Sequence, residues 1–139
     1  MKTCVRIGFG KIARIHEQQL SKRGVVTIGI VETDPMRRQE VRKSGFEVYE
    51  SIEAALTENP DFFDVCVPSD TRLSVISALC ALNPFANILI EKPLCRIDDV
   101  ARIKAIFDNH RGKVSINENY ATSNITKAVR AAIDRLGIT

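Results

Sequence analysis

Apolar residues along the chain follow two alternating rhythms. Continuous blocks rich in Val, Ile, Cys and Phe occupy residues 3–7, 25–31, 46–49, 62–67, 86–90 and 113–116, and each reads as a strand. Block 25–31 is apolar at nearly every position, as expected of a strand covered on both faces of a parallel sheet. Between the blocks, helical segments are predicted at 11–22, 34–44, 51–59, 71–82, 98–109 and 125–136. The expected apolar stripes are Ile12, Ile15, Gln19 and Leu20 in the first helix and Val100, Ile103, Ile106 and Phe107 in the fifth. In the last they are Ala128, Val129, Ala132, Ile133 and Leu136. The punctuation agrees. Asp34-Pro35 offers an N-cap and a proline at the first helical position, and Gly24, Gly45 and Gly112 fall where helices must stop.

Strands alternating with helices over short connections lie parallel and are joined by right-handed crossovers. The expected fold is α/β: an open, doubly wound sheet of six strands in the order 3-2-1-4-5-6, with helices on both faces.

Composition narrows the partners. A chain of 139 residues, 45% hydrophobic and 27% charged, is one domain's worth with enough apolar material for a core. The net charge of +3 is spread along helices, so no nucleic-acid surface is expected. No apolar run reaches the length needed to span a bilayer, and no signal-peptide pattern precedes the first strand. Cys4, Cys66, Cys80 and Cys95 form no C-x-x-C pair, and neither His16 nor His110 stands at metal-ligand spacing from them. No metal is expected, and a reducing, cytoplasmic setting is the simplest reading.

The candidate chemistry begins at Val5-Arg6-Ile7-Gly8-Phe9-Gly10-Lys11-Ile12-Ala13, a strand, a glycine turn and a helix start with the form G-x-G-x-x-A. Gly8 allows the sharp turn, Gly10 lets a pyrophosphate approach the backbone, and Ala13 lets helix and strand pack closely. Residues Gly8, Phe9, Gly10, Lys11 and Ile12 are therefore the candidate phosphate cradle, with N–H groups at the helix start facing the anion. Glu32 ends the second strand, about 20 residues further on, where the fingerprint places an acid for the adenosine ribose. A carboxylate there repels a 2′-phosphate and favours NAD over NADP. Asp34 is assigned to capping. Glu91-Lys92-Pro93 stands at the carboxyl end of the fifth strand, where ligands bind in open α/β sheets. A cis Lys92–Pro93 bond would aim the ammonium into the crevice. His16 reads as a packed or capping imidazole.

Together with Ile30-Val31-Glu32-Thr33-Asp34-Pro35, Asp64-Val65-Cys66-Val67-Pro68-Ser69, Glu91-Lys92-Pro93-Leu94 and Asn117-Glu118-Asn119-Tyr120, the glycine segment and His16 resemble a known family. It is the N-terminal half of the glucose-fructose oxidoreductase / inositol dehydrogenase / MocA sugar and cyclitol dehydrogenases. The resemblance implies that Lys92 is the catalytic residue, beside the nicotinamide and the reacting carbon. It implies that Glu91 contacts the nicotinamide ribose and that Pro68 and Ser69 line the cofactor crevice. Glu118, Asn119 and Tyr120 would reach toward nicotinamide and substrate, Asn119 as a cofactor contact. His16 would lie behind the phosphate loop. Arg72 stands where the family often has histidine, which leaves that contact open.

The resemblance also implies domain organisation. Residues 1–121 would be the dinucleotide-binding domain, and 122–139 a helix leading to a C-terminal substrate domain that this chain does not include. That domain would supply the catalytic histidine and most sugar contacts. The chain is then a piece of a longer protein or a free-standing cofactor domain. The expected activity is an NAD-dependent oxidation of a CH–OH group on a sugar, amino sugar or cyclitol, with NADP the weaker cofactor. The alternatives are a non-catalytic NAD-sensing module of the same fold, and a domain for another adenosine ligand such as S-adenosylmethionine, against which Glu91-Lys92-Pro93-Leu94 argues. No nucleic acid or membrane partner is expected, and a homo-oligomer is left open.

Overall fold

The computed structural model describes residues 1–118 and 123–137. The chain runs β1 (Lys2–Ile7), α1 (Lys11–Ser21), β2 (Val25–Val31), α2 (Pro35–Lys43), β3 (Val48–Tyr49) and α3 (Ile52–Ala55), the last followed by a 3-10 turn, Leu56–Glu58. It continues through β4 (Phe62–Val65), α4 (Ser69–Leu82), β5 (Ile88–Glu91), a second 3-10 turn (Ile97–Asp99), α5 (Val100–Asn109), β6 (Val114–Asn117) and α6 (Asn124–Leu136). The six strands form one sheet in the order β3-β2-β1-β4-β5-β6, and every pairing is parallel. This is the expected doubly wound topology. Its chain reversal falls between β1 and β4, and the crevice at the carboxyl ends of the strands opens there.

Local chemistry sets the helix ends. The Asp34 carboxylate accepts from the N–H groups of Met36 (2.8 Å) and Arg37 (3.1 Å), capping α2, and Gly45 takes a positive φ just past its end. Ser51 caps α3 through the Ala54 N–H. Pairing along β4 extends as far as the Cys66 N–H, which donates to the Ile7 carbonyl. Pro68 then supplies no N–H, and α4 starts at Ser69, two residues earlier than the sequence pattern predicts.

Successive side chains on a strand point to opposite faces, and here the two faces differ in kind. Val5, Ile7, Phe63, Val65, Ile88 and Ile90 pack with Ile52, Ile76, Leu79 and Ile103 from α3, α4 and α5 into one large apolar core. The opposite face holds a smaller cluster, Phe9, Ala13, Ile30, Val41 and Val48, under α1 and α2. Beside it the strands present Arg6 and Asp64, both fully buried.

Three expected stripes need correction. In α1 the side chains turned to the sheet are Ala13 and His16, while Ile12 and Ile15 are 43% and 44% exposed and Gln19 is exposed. The helix sits over a polar part of the sheet, so an imidazole meets it where an isoleucine was expected. In α5, Ile103 is buried and Ile106 and Phe107 half-buried, but Val100 at the helix start is exposed. In α6 the apolar residues share a phase, yet Ile125, Val129, Ile133 and Leu136 are all exposed. No described helix is long and apolar enough to cross a membrane.

Candidate cofactor site

A cavity of about 860 Å³ opens at the carboxyl ends of β1, β2, β4 and β5. It gathers Gly8, Phe9, Gly10, Lys11 and Ile12 from the first turn, Glu32 from the end of β2, Pro68 and Ser69 from the start of α4, and Glu91 and Lys92 from the end of β5. Asn119 and Tyr120, and the domain boundary expected at 121/122, lie outside the described residues.

The glycine turn has the geometry its sequence asks for. Gly8 has φ +88°, and a Cβ there would come within 3.1 Å of Val67 Cγ1 and 3.3 Å of the Cys66 carbonyl oxygen. Gly10 has nothing within 4 Å of where a Cβ would stand, so its missing side chain is space held open at the cavity. No side chain caps α1, and no acidic residue lies in its first turn. The first-turn N–H groups of an α-helix have no intrahelical acceptor, so an anion is the natural partner here. Uncapped helix start, open glycine and cavity together fit a pyrophosphate.

Glu32 does more than end a strand. It is buried, and its two carboxylate oxygens accept from the Phe9 N–H and the Asp34 N–H, both at 3.0 Å. The acid thus ties the glycine turn to the β2–α2 connection. Each oxygen keeps a second acceptor position, so ribose hydroxyls remain chemically accommodated. Phe9 departs from a simple ligand role: its ring is buried against Phe46, edge to face at 5.9 Å between centroids, with the Arg14 guanidinium 4.7 Å over it.

At the other end, the Lys92–Pro93 peptide is cis, as the sequence reading anticipates, and Lys92 is half-buried in the cavity lining. Arg72 resolves the position left open by the sequence. It is buried and donates to the carbonyls of Pro93 and of Val67 (2.6 Å to the latter), strapping the β5 and β4 exits together. Burial pulls its pKa below the ordinary arginine value.

Beneath this end runs a polar network that the sequence reading did not find. Arg6 and Asp64 are register partners on β1 and β4, and Arg6 Nε donates to Asp64 Oδ2 at 2.8 Å. Arg6 also donates to Glu17, which accepts from Thr27 as well. His16 Nδ1 lies 2.9 Å from Asp64 Oδ1. His16 Nε2 lies 2.9 Å from Asn117 Nδ2 and 3.4 Å from Glu91 Oε1, and the same Asn117 amide donates to Glu91 Oε1 at 2.6 Å. The network therefore reaches the cavity through Glu91. Hydrogen bonding to Asp64 raises the His16 pKa against the opposing effect of burial, and Glu91 adds to the rise. For Asp64, burial alone would raise the pKa, but His16 and Arg6 outweigh it and hold the carboxyl below its usual value. Burial pushes the Cys66 thiol well up. His16, Asp64 and Cys66 bring one ligand-type atom each to within 4.8 Å of one another. Those atoms are hydrogen-bonded among themselves, with Asp64 also held by Arg6. One signal was available in sequence: an arginine and an aspartate inside two strongly apolar strands.

A parallel doubly wound sheet with an open-glycine helix start at its switch point defines a dinucleotide-binding domain. The model of the Gfo/Idh/MocA "oxidoreductase family, NAD-binding Rossmann fold" matches residues 2–118, and the chain belongs to that family. No curated protein matches it in sequence. Among solved structures it is similar to scyllo-inositol dehydrogenase from Lactobacillus casei with bound NAD(H) and scyllo-inositol, with TM-score 0.81, 16% identity, and coverage of 99% of this chain and 42% of that one. The WlbA dehydrogenase from Bordetella pertussis, in complex with NADH and UDP-GlcNAcA, gives TM-score 0.83, 19% identity, 96% and 42%. An oxidoreductase from Agrobacterium radiobacter in complex with NAD+, L-tartaric acid and magnesium gives 0.78, 18%, 96% and 40%. The chain thus spans about two-fifths of the length of these structures.

Proposed function

We propose that the cavity holds NAD(H), and that the chain is the cofactor-binding part of a dehydrogenase acting on a secondary alcohol of a sugar, amino sugar or cyclitol. The observation that carries this reading is the single cavity wall containing the open glycine turn, Glu32 and Lys92. The cofactor supplies the hydride acceptor or donor. The first turn of α1 binds the pyrophosphate, and Glu32 accepts from the adenosine ribose while disfavouring a 2′-phosphate. Glu91 accepts from the nicotinamide ribose. Lys92 holds the substrate hydroxyl and stabilises the oxygen as its proton passes to a base supplied by the substrate domain. Ser69 and Pro68 shape the wall between the two ends. The four cysteines are all free, which fits a cytoplasmic setting. Substrate recognition is assigned to the C-terminal substrate domain that the family resemblance implies. Lys92 in the lining favours this reading over a pure NAD sensor, which has no need of an ammonium there.

Calorimetric titration of the 139-residue chain with NAD and NADP tests the reading. Binding of NAD at least tenfold tighter than NADP is expected, and absence of NAD binding by the folded chain overturns it. In a protein that also contains a substrate domain, Lys92→Ala is expected to reduce kcat by about 10²-fold or more. An unchanged kcat removes the catalytic role.

A further inference from the structure

His16 joins the buried ion pair to Glu91 in the cavity wall. From β4, Asp64 faces its Nδ1, and Cys66 Sγ lies 3.4 Å from the same nitrogen. From β5 and β6, Glu91 and Asn117 face its Nε2. Arg6 on β1 and Glu17 on α1 stand behind Asp64, and Lys92 and Arg72 lie beyond Glu91 in the cavity wall. With a carboxylate on Nδ1, that nitrogen carries its hydrogen in either charge state.

The charge state is decided at Nε2. In the neutral ring Nε2 accepts from the Asn117 amide, whose second hydrogen goes to Glu91 Oε1. The Glu91 carboxylate then keeps its full charge toward the cavity. In the cationic ring Nε2–H cannot accept from Asn117 and donates to Glu91 Oε1, now 3.4 Å away. The carboxylate is then balanced from behind. Oxidised nicotinamide carries a positive ring and reduced nicotinamide does not, so the two cofactor forms sense that difference unequally.

We propose that His16 is a positioning residue that passes its proton state through Glu91 to the nicotinamide end of the cavity, so that the site's preference for oxidised over reduced cofactor rises with pH. The inference rests on the reading above that Glu91 and Lys92 mark the nicotinamide end. Linkage runs both ways: NAD+ binding releases a proton from His16, and NADH binding releases less. Hydrogen bonding to Asp64 raises the His16 pKa, which moves the change upward from the ordinary histidine value. Charges interacting through a partly screened site alter the ratio of the two affinities by about 3- to 10-fold.

The test measures Kd for NAD+ by calorimetry and for NADH by its fluorescence from pH 6 to 9, on the wild-type chain and on His16→Gln. Proton NMR of the imidazoles follows the wild type over the same range. The chain has only two histidines, and His110→Gln assigns the signals. The expected result is a ratio Kd(NAD+)/Kd(NADH) that falls about 3- to 10-fold as pH rises through the His16 midpoint and stays flat in His16→Gln. A flat wild-type ratio overturns the inference while leaving cofactor binding intact. So does a wild-type midpoint that fails to coincide with the NMR titration of His16, a comparison that needs no variant to fold. Failure of both cofactors to bind the folded wild type overturns the cofactor reading itself, and this inference with it.

Discussion

Arg6 Nε and Asp64 Oδ2 meet at 2.8 Å across adjacent parallel strands, with both side chains fully excluded from solvent. Taking two charges out of water is costly, and their attraction recovers the cost only while both are present. Asp64→Ala leaves the Arg6 guanidinium buried opposite a methyl group. The expected loss is about 3–5 kcal/mol of unfolding free energy, read from urea denaturation. A loss below about 1 kcal/mol would show that water or Glu17 compensates the guanidinium.

Acid and alkali act on the same network from opposite sides. Asp64 has a depressed pKa in the folded chain, so its contribution is present above the unfolded carboxyl value of 3.8 and is lost as pH falls through the folded value. Asp61, paired with Lys2 and the Thr3 N–H, is lowered to about 2 and titrates in the same acid window. His16 is raised, so its contribution is complete below 6.5 and is lost as pH rises through its folded value. The urea midpoint is expected to decline on the alkaline side of 6.5 in the wild type. In His16→Gln that alkaline decline is expected to shrink while the acid limb remains.

Two glycines two residues apart should respond differently to alanine. Gly8→Ala forces a Cβ onto a backbone at φ +88° and against Val67 and the Cys66 carbonyl, at a cost of about 1–3 kcal/mol. Gly10→Ala meets open space at an ordinary φ, so stability should change by no more than about 0.5 kcal/mol. Its NAD affinity is nevertheless expected to fall by about tenfold or more, because the methyl enters the cavity. Equal stability losses in the two variants would refute the distinction.

Glu32→Gln keeps the shape of the side chain but offers one carbonyl oxygen where two oxygens now accept from Phe9 and Asp34. One backbone N–H loses its partner, for about 1–3 kcal/mol of stability. The NAD/NADP affinity ratio is expected to fall toward unity, since the charge that repels a 2′-phosphate is gone. A ratio unmoved by Glu32→Gln would assign cofactor choice to other residues at that end, such as Arg37, which also lines the cavity.

What was legible in the sequence followed from local rules. Asp34-Pro35 and Gly45 announce helix ends through groups within a few residues, and both act as expected. The alternation of elements together with the dinucleotide fingerprint pointed to the strand order that the sheet has. The glycine turn, Glu32 and Lys92 reach one cavity because the fold brings strand ends together, which the fingerprint spacing encodes. Less legible were features set by distant partners. Asp64, 58 residues from Arg6, draws His16 inward and turns Ile12 and Ile15 out, and periodicity along α1 carries no trace of it. Likewise, the strap from Arg72 depends on two carbonyls at the exits of β4 and β5, which no side-chain pattern marks.

The buried ring of Phe9 has a bearing on motion. A glycine turn ordinarily opens by itself, exposing its amides to exchange with solvent. Here the residue between the two glycines is anchored in the core under α2, and its N–H is held by a buried carboxylate. The Phe9 amide should therefore exchange only when that part of the core opens. The glycine loop keeps its shape by itself, so a cofactor bound as proposed has little loop order left to impose.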